Sequence, residues 1–221
     1  MISTKSRAAP IEIELKYSLT KAEYSLLKDH LTSRPHTTKT QTNYYFDSLQ
    51  LSLRNKKTSL RIRTSGSKTA IVCLKFPTSP KKHSLTSLKI NYEYEENISL
   101  PIAKQIIKGH SSISLLDVIP LSILNKKFSP NTTKRLLCLG SLKTKRTTYR
   151  RQKGHLFELD ESQYLGKVFY ELEVETHNPE KADLLIKNLF KEKGISYRPD
   201  KISKNGKFFI DWKKLFTKKK A

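Results

Sequence analysis

Residues 11–16 read Ile-Glu-Ile-Glu-Leu-Lys, so two carboxylates and one ammonium group alternate strictly with three aliphatic side chains. Side chains at every second position of an extended strand share one face, so Glu12, Glu14 and Lys16 are predicted to project together. Carboxylate oxygens bind hard divalent cations, and an ammonium group neutralises phosphate. The segment therefore predicts a strand whose polar face can bind a metal and a phosphate, although a half-buried strand with a solvated face shows the same alternation.

Other predicted strands each carry mainly one sign of charge. Arg61 and Arg63 share one face of a second strand, and Lys75 lies at the end of a third. Residues 170–175 place three glutamates on one face of a fourth. A row of like charges repels itself unless opposite charge lies over it. A metal cation suits the acidic rows, and a polyphosphate suits the basic ones.

A helix is predicted directly after the first strand. Thr20 and Glu23 form a capping box, and Tyr24, Leu27 and Leu31 then fall on one helical face. This apolar stripe can cover the aliphatic side of the strands.

A second helix is predicted over residues 179–193, with Asn178 as its N-cap and Gly194 just past its end. Shorter apolar-periodic pieces in residues 101–128 predict short helices that join two halves of the sheet. The loop 78–84 contains breaking residues and is predicted to be mobile. The apolar stripe of the second helix consists of Ala182, Leu185, Ile186, Leu189 and Phe190.

This arrangement inverts the usual plan of a globular protein. Apolar strand faces turn outward onto helices, and polar faces line an enclosed space. Such an interior is tolerated only if its charges are paired, hydrated or occupied by a ligand. At 221 residues the chain fits one domain, residues 1–221, with a basic tail over residues 213–221.

Positive charge dominates the composition, with 43 lysines and arginines against 20 acidic residues and a net charge of +23 at pH 7. Such an excess attracts polyanions, of which nucleic acid is the most abundant. Much of it lies outside the alternating segments, in runs predicted to be solvated loops and chain ends. These runs are 81–83, 126–127, Lys143 with Lys145, 150–151 and the tail.

Further short motifs follow in a fixed order along the chain. They are Thr-Asn-Tyr-Tyr-Phe-Asp at 42–47, Leu-Arg-Ile-Arg at 60–63, Leu-Lys-Phe-Pro at 74–77, Gly-Ser-Leu at 140–142, Arg146, Leu-Asp at 159–160, Tyr-Leu-Gly at 164–166 and Glu-Leu-Glu at 171–173. With its Glu-x-Glu-x-Lys strand, the sequence resembles the CYTH family, also called the triphosphate tunnel metalloenzymes. The resemblance runs from about Ile11 to Phe208, and it is greatest to the small bacterial branch.

The resemblance implies an α+β fold in which a closed antiparallel eight-stranded β-barrel, the triphosphate tunnel, is flanked by helices. It also implies metal-dependent hydrolysis of a triphosphate, with Mg²⁺ or Mn²⁺ as cofactor. The residues that it implies as metal ligands are Glu12, Glu14, Glu93, Asp160, Glu171 and Glu173. Those that it implies as substrate-binding are Lys16, Arg61, Arg63, Lys75, Arg146 and Lys204, with Glu12, Glu14 and Lys16 as the catalytic set.

Some of these assignments have an alternative. Two residues before Glu93 the family often has an arginine, and here the position is Asn91, so one positive group is missing or supplied elsewhere. Glu93 itself fits a solvated strand face equally well. Asp160 fits a turn cap at a strand end, and Lys204 fits a chance match in a lysine-rich chain.

Inorganic triphosphate is the expected substrate, because no residue set recognises an organic group. The enzymatic alternatives are hydrolysis of thiamine triphosphate or a nucleoside triphosphate, and ATP cyclisation as in class IV adenylate cyclases. A non-catalytic polyphosphate- or RNA-binding protein is the alternative from another class, and weak nucleic-acid association through the basic surface is expected. The sequence contains no Gly-x-x-x-x-Gly-Lys loop, no Gly-x-Ser-x-Gly elbow and no metal-ligand pairing of histidines.

Two cysteines, Cys73 and Cys138, are too few and too far apart for a disulfide framework or a zinc site, so both are expected to be free. Cys73 shares its strand parity with Lys75 near the polar interior, and ordinary packing is its expected role. No apolar run reaches bilayer length, and residues 1–10 lack the apolar core of a signal peptide. A soluble cytoplasmic protein without membrane contact is expected.

Overall fold

The structure, a computed structural model, describes residues 10–66, 68–78, 85–152 and 154–218. Its strands are β1 (Ile11–Leu19), β2 (His36–Asp47), β3 (Ser59–Thr64), β4 (Thr69–Pro77), β5 (Leu88–Ser99), β6 (Leu137–Gln152), β7 (His155–Tyr164) and β8 (Lys167–Glu175). Its helices are α1 (Lys21–Leu31), α2 (Ser52–Asn55), α3 (Leu100–Ile107), α4 (Ile119–Lys127), α5 (Pro130–Thr133), α6 (Pro179–Glu192) and α7 (Lys204–Lys218), with a 3₁₀ turn at Ile113–Leu115. Within these ranges, no helix is both long and apolar enough to span a bilayer.

The strands form one closed antiparallel barrel in the order β1-β5-β4-β3-β2-β6-β7-β8. This confirms the predicted eight-stranded barrel with flanking helices. Closure leaves no unpaired sheet edge, and it brings strands that are distant in sequence into register. Lys16 on β1, for example, lies opposite Glu173 on β8, and Arg146 on β6 lies opposite Asp160 on β7.

The barrel has its apolar faces outside, as the alternation predicted. Leu15 and Tyr17 of β1 are fully buried against the helices on the outer surface, and the Tyr17 ring packs edge-on against Phe190 of α6 at 5.6 Å. Glu14 and Lys16 alternate with them in sequence and face inward. They are almost equally buried, so the barrel interior holds charge at a depth where other proteins hold aliphatic side chains.

Helices α1 and α6 begin where the sequence predicted. The Thr20 side chain accepts from the Glu23 backbone N–H, and the Glu23 carboxylate accepts from the Thr20 N–H, which completes the capping box of α1. The Asn178 side chain caps α6 by accepting from the N–H of Lys181. The stripe of α6 faces the barrel, but the helix also buries Asp183, which accepts hydrogen bonds from the hydroxyls of Tyr17 and Tyr197.

A second apolar cluster covers the other side of the barrel. The short helices predicted between residues 101 and 128 are present as α3, the 3₁₀ turn and α4. Their buried side chains, Ala103, Ile106, Leu121 and Leu124 among them, pack on the outward faces of β3 and β4. These helices connect β5 to β6, so they cover apolar strand faces while the chain crosses the outside of the barrel.

The basic residues from 213 were predicted to be a tail, but residues 213–218 belong to helix α7. The helix reaches Lys218, because Phe208, Phe209 and Trp212 recur at helical spacing and join an apolar cluster with inward residues of the barrel. Phe208 packs 5.1 Å from the ring of Tyr45, and a Cβ at Gly140 would lie 2.9 Å from the Phe208 ring. Residues 219–221 lie outside the described residues.

Two other basic runs also belong to regular structure. Lys126 and Lys127 form the last turn of α4, and Lys143 and Lys145 are exposed on β6, where strand alternation sends them outward from a barrel wall. The predictions of loops at these positions were therefore wrong. The run 81–83, and with it most of the loop predicted to be mobile, lies outside the described residues.

Candidate active site

The inward strand faces enclose a cavity of about 1030 Å³. Ten lysines and arginines line it against six glutamates, so its wall favours an anion. Besides the strands, it is lined by residues of the α2 turn and by residues 201–205, which lead into α7. The charged lining residues are Glu12, Glu14, Lys16, Arg54, Lys57, Arg61, Arg63, Lys75, Lys89, Glu93, Glu95, Arg146, Glu173, Glu175, Lys201 and Lys204.

Lys75 joins the carboxylates of β1 and β5. Its ammonium group is paired with Glu12, and it lies 3.1 Å from Glu14 and 3.4 Å from Glu93. Strand alternation places Glu12 and Glu14 on the inner face of β1, and antiparallel pairing places Lys75 opposite Glu93. The predicted metal ligands of β1 and the predicted phosphate ligand of β4 are therefore in direct contact.

Lys16 continues this chain of charges toward β8. Its ammonium group lies 3.2 Å from Glu14 and is paired with Glu173, and all three side chains are almost fully buried. The backbone of Lys16 is also fixed, because its carbonyl accepts a hydrogen bond from the Asp200 N–H at 2.8 Å. The segment that includes Asp200 thus runs along β1 before it enters α7.

Arg146 organises the carboxylates of β7 and β8. Its Nε and Nη2 donate to the two oxygens of Asp160 at 2.9 and 2.6 Å, a bidentate contact that fixes the plane of the guanidinium group. The same side chain is paired with Glu158 and Glu173. Asp160 lies in the middle of β7 and is completely buried, which excludes the alternative that it caps a turn.

Lys204 enters the cavity from the first position of α7. Its Nζ lies 2.6 Å from Asp160, 2.5 Å from Glu171 and 2.7 Å from Glu173. The three contacts place the Lys204 side chain inside the barrel rather than on its surface. In the next turn Lys207 lies 3.2 Å from Glu171 and is paired with Asp200.

Arg61 and Arg63 lie on the opposite wall. Arg61 donates to Glu93 at 2.7 Å, and Arg63 is paired with Glu95. The Nε–H groups of both arginines are buried without a hydrogen-bond partner among the described residues, as is the side-chain oxygen of Asn43 beside them. An unmet buried donor is costly, so the two Nε–H groups are available to a ligand that accepts hydrogen bonds.

The two glutamates of β1 have opposite pKa shifts. Burial, together with the charge of Glu14, raises the pKa of Glu12 to about 8, which Lys75 only partly offsets. Burial acts in the same direction on Glu14, but Lys16 and Lys75 outweigh it and leave the pKa of Glu14 below its ordinary value. The second cation beside Glu14 makes the difference between these two glutamates.

Three glutamates of β7 and β8 also have pKa shifts in both directions. Burial raises the pKa of Glu171 and raises that of Glu158 to about 7, in spite of Lys204 and Arg146 respectively. For Glu173, burial is outweighed by Lys16, Lys204 and Arg146, and its pKa falls well below the ordinary range. Glu173 therefore stays ionised in spite of its burial.

A divalent metal fits one group of these carboxylates. One oxygen each from Asp160, Glu171 and Glu173 lies within 4.8 Å of the others, and all three residues are buried. An all-oxygen donor set suits Mg²⁺ and Mn²⁺. A second group of Cys73, Glu93 and Glu95 fits less well, because it includes a thiol, which is a poor ligand for hard cations.

Cys73 is not packed in the ordinary way that the sequence suggested. Its thiol is buried on the inner face and donates to Glu93 at 2.9 Å. Burial raises its pKa to about 12, so it remains protonated. Cys73 and Cys138 are both free thiols, as predicted.

The structure gathers all the site residues predicted from the sequence around one interior. It does not put the six predicted metal ligands in one group, since Glu12, Glu14 and Glu93 contact Lys75 on the side away from Asp160. The prediction missed several charged residues that line the cavity or contact its ion pairs. Lys89, Glu95 and Glu158 lie on strands, at alternate positions from Glu93 and Asp160, so strand alternation could have identified them. Arg54 and Lys207 lie on helices, where strand alternation gives no signal.

Asn91, the position where an arginine was expected, lies opposite Glu12 and lines the cavity. Lys89 lies two residues earlier on the same face, opposite Glu14, and lines the cavity as well. Its Nζ donates to the carbonyl of Lys201 at 2.9 Å. A positive charge is therefore present on this strand, one inward position away from the expected one.

Comparison with known proteins gives relatives over nearly the whole chain. YjbK of Bacillus subtilis (strain 168), a provisionally assigned triphosphatase, is 28% identical over 191 residues, which cover 86% of this chain and 90% of YjbK. Among solved structures, HpAC1 from Hippeastrum superposes with a TM-score of 0.81 at 29% identity, over 90% of this chain and 96% of that one. It is described as a provisional adenylyl cyclase with a dominant triphosphatase activity.

A provisionally assigned adenylate cyclase from Bacillus halodurans shares the fold, with a TM-score of 0.71 at 24% identity over 90% of this chain and 97% of that one. The CYTH domain profile matches residues 10–204, which include every strand of the barrel and end at Lys204. The chain belongs to the CYTH domain family.

Proposed function

We propose that the protein hydrolyses inorganic triphosphate in its barrel, with Mg²⁺ or Mn²⁺ as the cofactor. The observation that carries the proposal is the inner wall itself, where cations and carboxylates contact each other around one cavity, and Glu14, Lys16 and Glu173 among them are buried. Removing so many charges from water is costly, and a barrel of this size could form an aliphatic core instead. An anionic substrate and a cation together account for both signs of charge.

The positive groups bind and orient the substrate. Arg61 and Arg63 each keep an Nε–H without a hydrogen-bond partner in the part of the chain that the structure describes, and a phosphate oxygen is a suitable acceptor. Lys16, Lys75 and Arg146 are held by carboxylates on several sides, so their positions are fixed before the substrate arrives. Such preorganisation lowers the cost of arranging charge around the phosphates in the transition state.

Asp160, Glu171 and Glu173 would hold a divalent metal, and Glu12, Glu14 and Glu93 extend the acidic wall toward Lys75. When bound, the metal would neutralise phosphate oxygens and polarise a water molecule. The carboxylates and the cations of the wall orient the reactants. Phosphoryl transfer needs little more from a protein than positioning and charge neutralisation.

The choice of an inorganic substrate rests on the character of the wall. Tyr45 is the aromatic residue among the described lining residues, and it is covered by Phe208, so the lining offers no open ring for a base or a thiazole to stack on. The triphosphatase descriptions of YjbK and HpAC1 favour hydrolysis over ATP cyclisation. The two free thiols are compatible with the cytoplasm, which we propose as the location.

The test is phosphate release from inorganic triphosphate, thiamine triphosphate, ATP and GTP, each with Mg²⁺, with Mn²⁺ and with a chelator. We expect the highest kcat/KM for inorganic triphosphate, and no release with the chelator. Cyclic AMP formation from ATP would instead favour the cyclase alternative. No release from any triphosphate, together with RNA binding that survives high salt, would favour the binding protein.

A further inference from the structure

The ammonium group of Lys204 occupies the centre of the three-carboxylate group. Its distances to one oxygen each of Asp160, Glu171 and Glu173 lie between 2.5 and 2.7 Å. These carboxylates form the oxygen cluster that fits a divalent metal. A cation supplied by the chain itself therefore lies where the proposed cofactor would bind.

A metal and this ammonium group cannot share the position. Mg²⁺ binds oxygen at about 2.1 Å, so a metal on these oxygens would lie almost on top of the Lys204 nitrogen. Two like charges so close in a buried site repel each other strongly. One of them must leave the three carboxylates before the other can bind them.

We propose that Lys204 is a built-in competitor of the metal, which it excludes until the metal displaces it toward the substrate. The inference rests on the proposed metal-dependent function. Lys204 is the first residue of α7, and its side chain enters through the cavity wall, so it can leave by a change of rotamer. A triphosphate in the cavity then accepts the displaced ammonium group, which couples metal binding to substrate binding.

The other cations in contact with these carboxylates do not take this position. Lys16 and Arg146 both contact Glu173, but Lys16 lies on the side of Glu14, and Arg146 binds Asp160 edge-on through two nitrogens. Lys207 contacts Glu171 alone among the three. Among the described residues, Lys204 is thus the cation that contacts all three carboxylates.

The experiment measures Mn²⁺ binding by calorimetry to the wild-type protein and to Lys204→Met, without triphosphate. We expect Lys204→Met to bind Mn²⁺ about tenfold more tightly or better, because the internal competitor is gone. Lys207→Met is the matched control, and its Mn²⁺ affinity should change much less. Lys204→Arg keeps the charge, and its affinity should remain near the wild-type value.

Mn²⁺ binding to Lys204→Met that is no tighter than wild-type binding would overturn the proposal and leave the proposed function standing. Failure of the wild-type protein and every variant to bind Mn²⁺ would contradict the metal dependence itself. If Lys204→Met does not fold in metal-free buffer, we expect Mn²⁺, but not K⁺, to restore its circular dichroism spectrum. No restoration by Mn²⁺ would also overturn the proposal.

Discussion

Substitution of Arg61 can distinguish specific phosphate binding by the guanidinium group from a general effect of positive charge. Its guanidinium group donates to Glu93 through Nη2, and its buried Nε–H has no partner among the described residues. Arg61→Lys keeps the positive charge but loses the planar fork that fits a phosphate. We expect kcat/KM for triphosphate to fall by about tenfold or more, or about 1.4 kcal/mol of transition-state stabilisation.

The measurement is steady-state phosphate release over a range of triphosphate concentrations. Arg135→Lys, at an exposed arginine outside the barrel interior, is the control and should behave as wild type. Wild-type kinetics in both Arg61→Lys and the equivalent Arg63→Lys would be incompatible with a specific phosphate role for this strand.

At the scale of single residues, strand parity predicted the inner face well. Glu12, Glu14 and Lys16 face inward together because a closed barrel gives every strand one inner and one outer side. Glu158 shares its parity with Asp160 and was still missed, because only the second of the two matched a familiar motif. Which carboxylates share a cation could not be predicted, since this depends on the register between strands distant in sequence.

At the scale of elements, a side chain in the first turn of α1 also binds the segment that leads to α7. Glu23 caps the helix and accepts hydrogen bonds from the backbone N–H groups of Thr20 and Ser196, and it is paired with Arg198. Burial opposes ionisation of Glu23, but these contacts outweigh it and lower its pKa to about 2. One side chain thus links the first helix to the segment before Lys204.

A carboxylate whose pKa is lower in the folded protein than in the unfolded chain stabilises the fold above the unfolded pKa of 4.5. This contribution is lost as the pH falls from about 4.5 toward 2. We therefore expect Glu23→Gln to be less stable than wild type at pH 7, by about 1 kcal/mol as for other lost helix caps.

Urea denaturation at pH 7 and at pH 3.5 measures this difference. The gap between Glu23→Gln and wild type should narrow at the lower pH, while Glu180→Gln, at an exposed glutamate of α6, should remain close to wild type at both. An equal difference in the free energy of unfolding at both pH values would mean that the charge of Glu23 does not contribute to stability.

The elements show where sequence patterns suffice and where they fail. Helices α1 and α6 could be predicted because their caps and apolar stripes are local signals. Helix α7 was missed, because its many lysines suggested a solvated tail, and because Phe208 and Phe209 find their partners only inside the finished barrel. The contact of Lys204 with three carboxylates follows from that helix, so it could not be predicted either.

At the scale of the whole molecule, the +23 charge divides into two populations. The inner cations line the barrel cavity, where most of them contact carboxylates, whereas Lys143 and Lys145 are exposed on the outside of β6. Charge at the outer surface is screened within about 8 Å at physiological salt. The interior, rather than the overall charge, should therefore determine hydrolysis.

The most direct test of this account compares phosphate release from inorganic triphosphate by wild type, Glu12→Gln and the surface control Glu180→Gln, with Mn²⁺ and with a chelator. Glu12 lines the cavity and contacts Lys75, and with the assay pH set above the Glu12 pKa of about 8 the amide keeps its size while removing its charge. The account predicts metal-dependent release by wild type and Glu180→Gln, and a loss of about a hundredfold or more in folded Glu12→Gln, in line with removal of a group that stabilises developing charge. Wild-type turnover in Glu12→Gln at limiting Mn²⁺, or release that continues in the chelator, would contradict it.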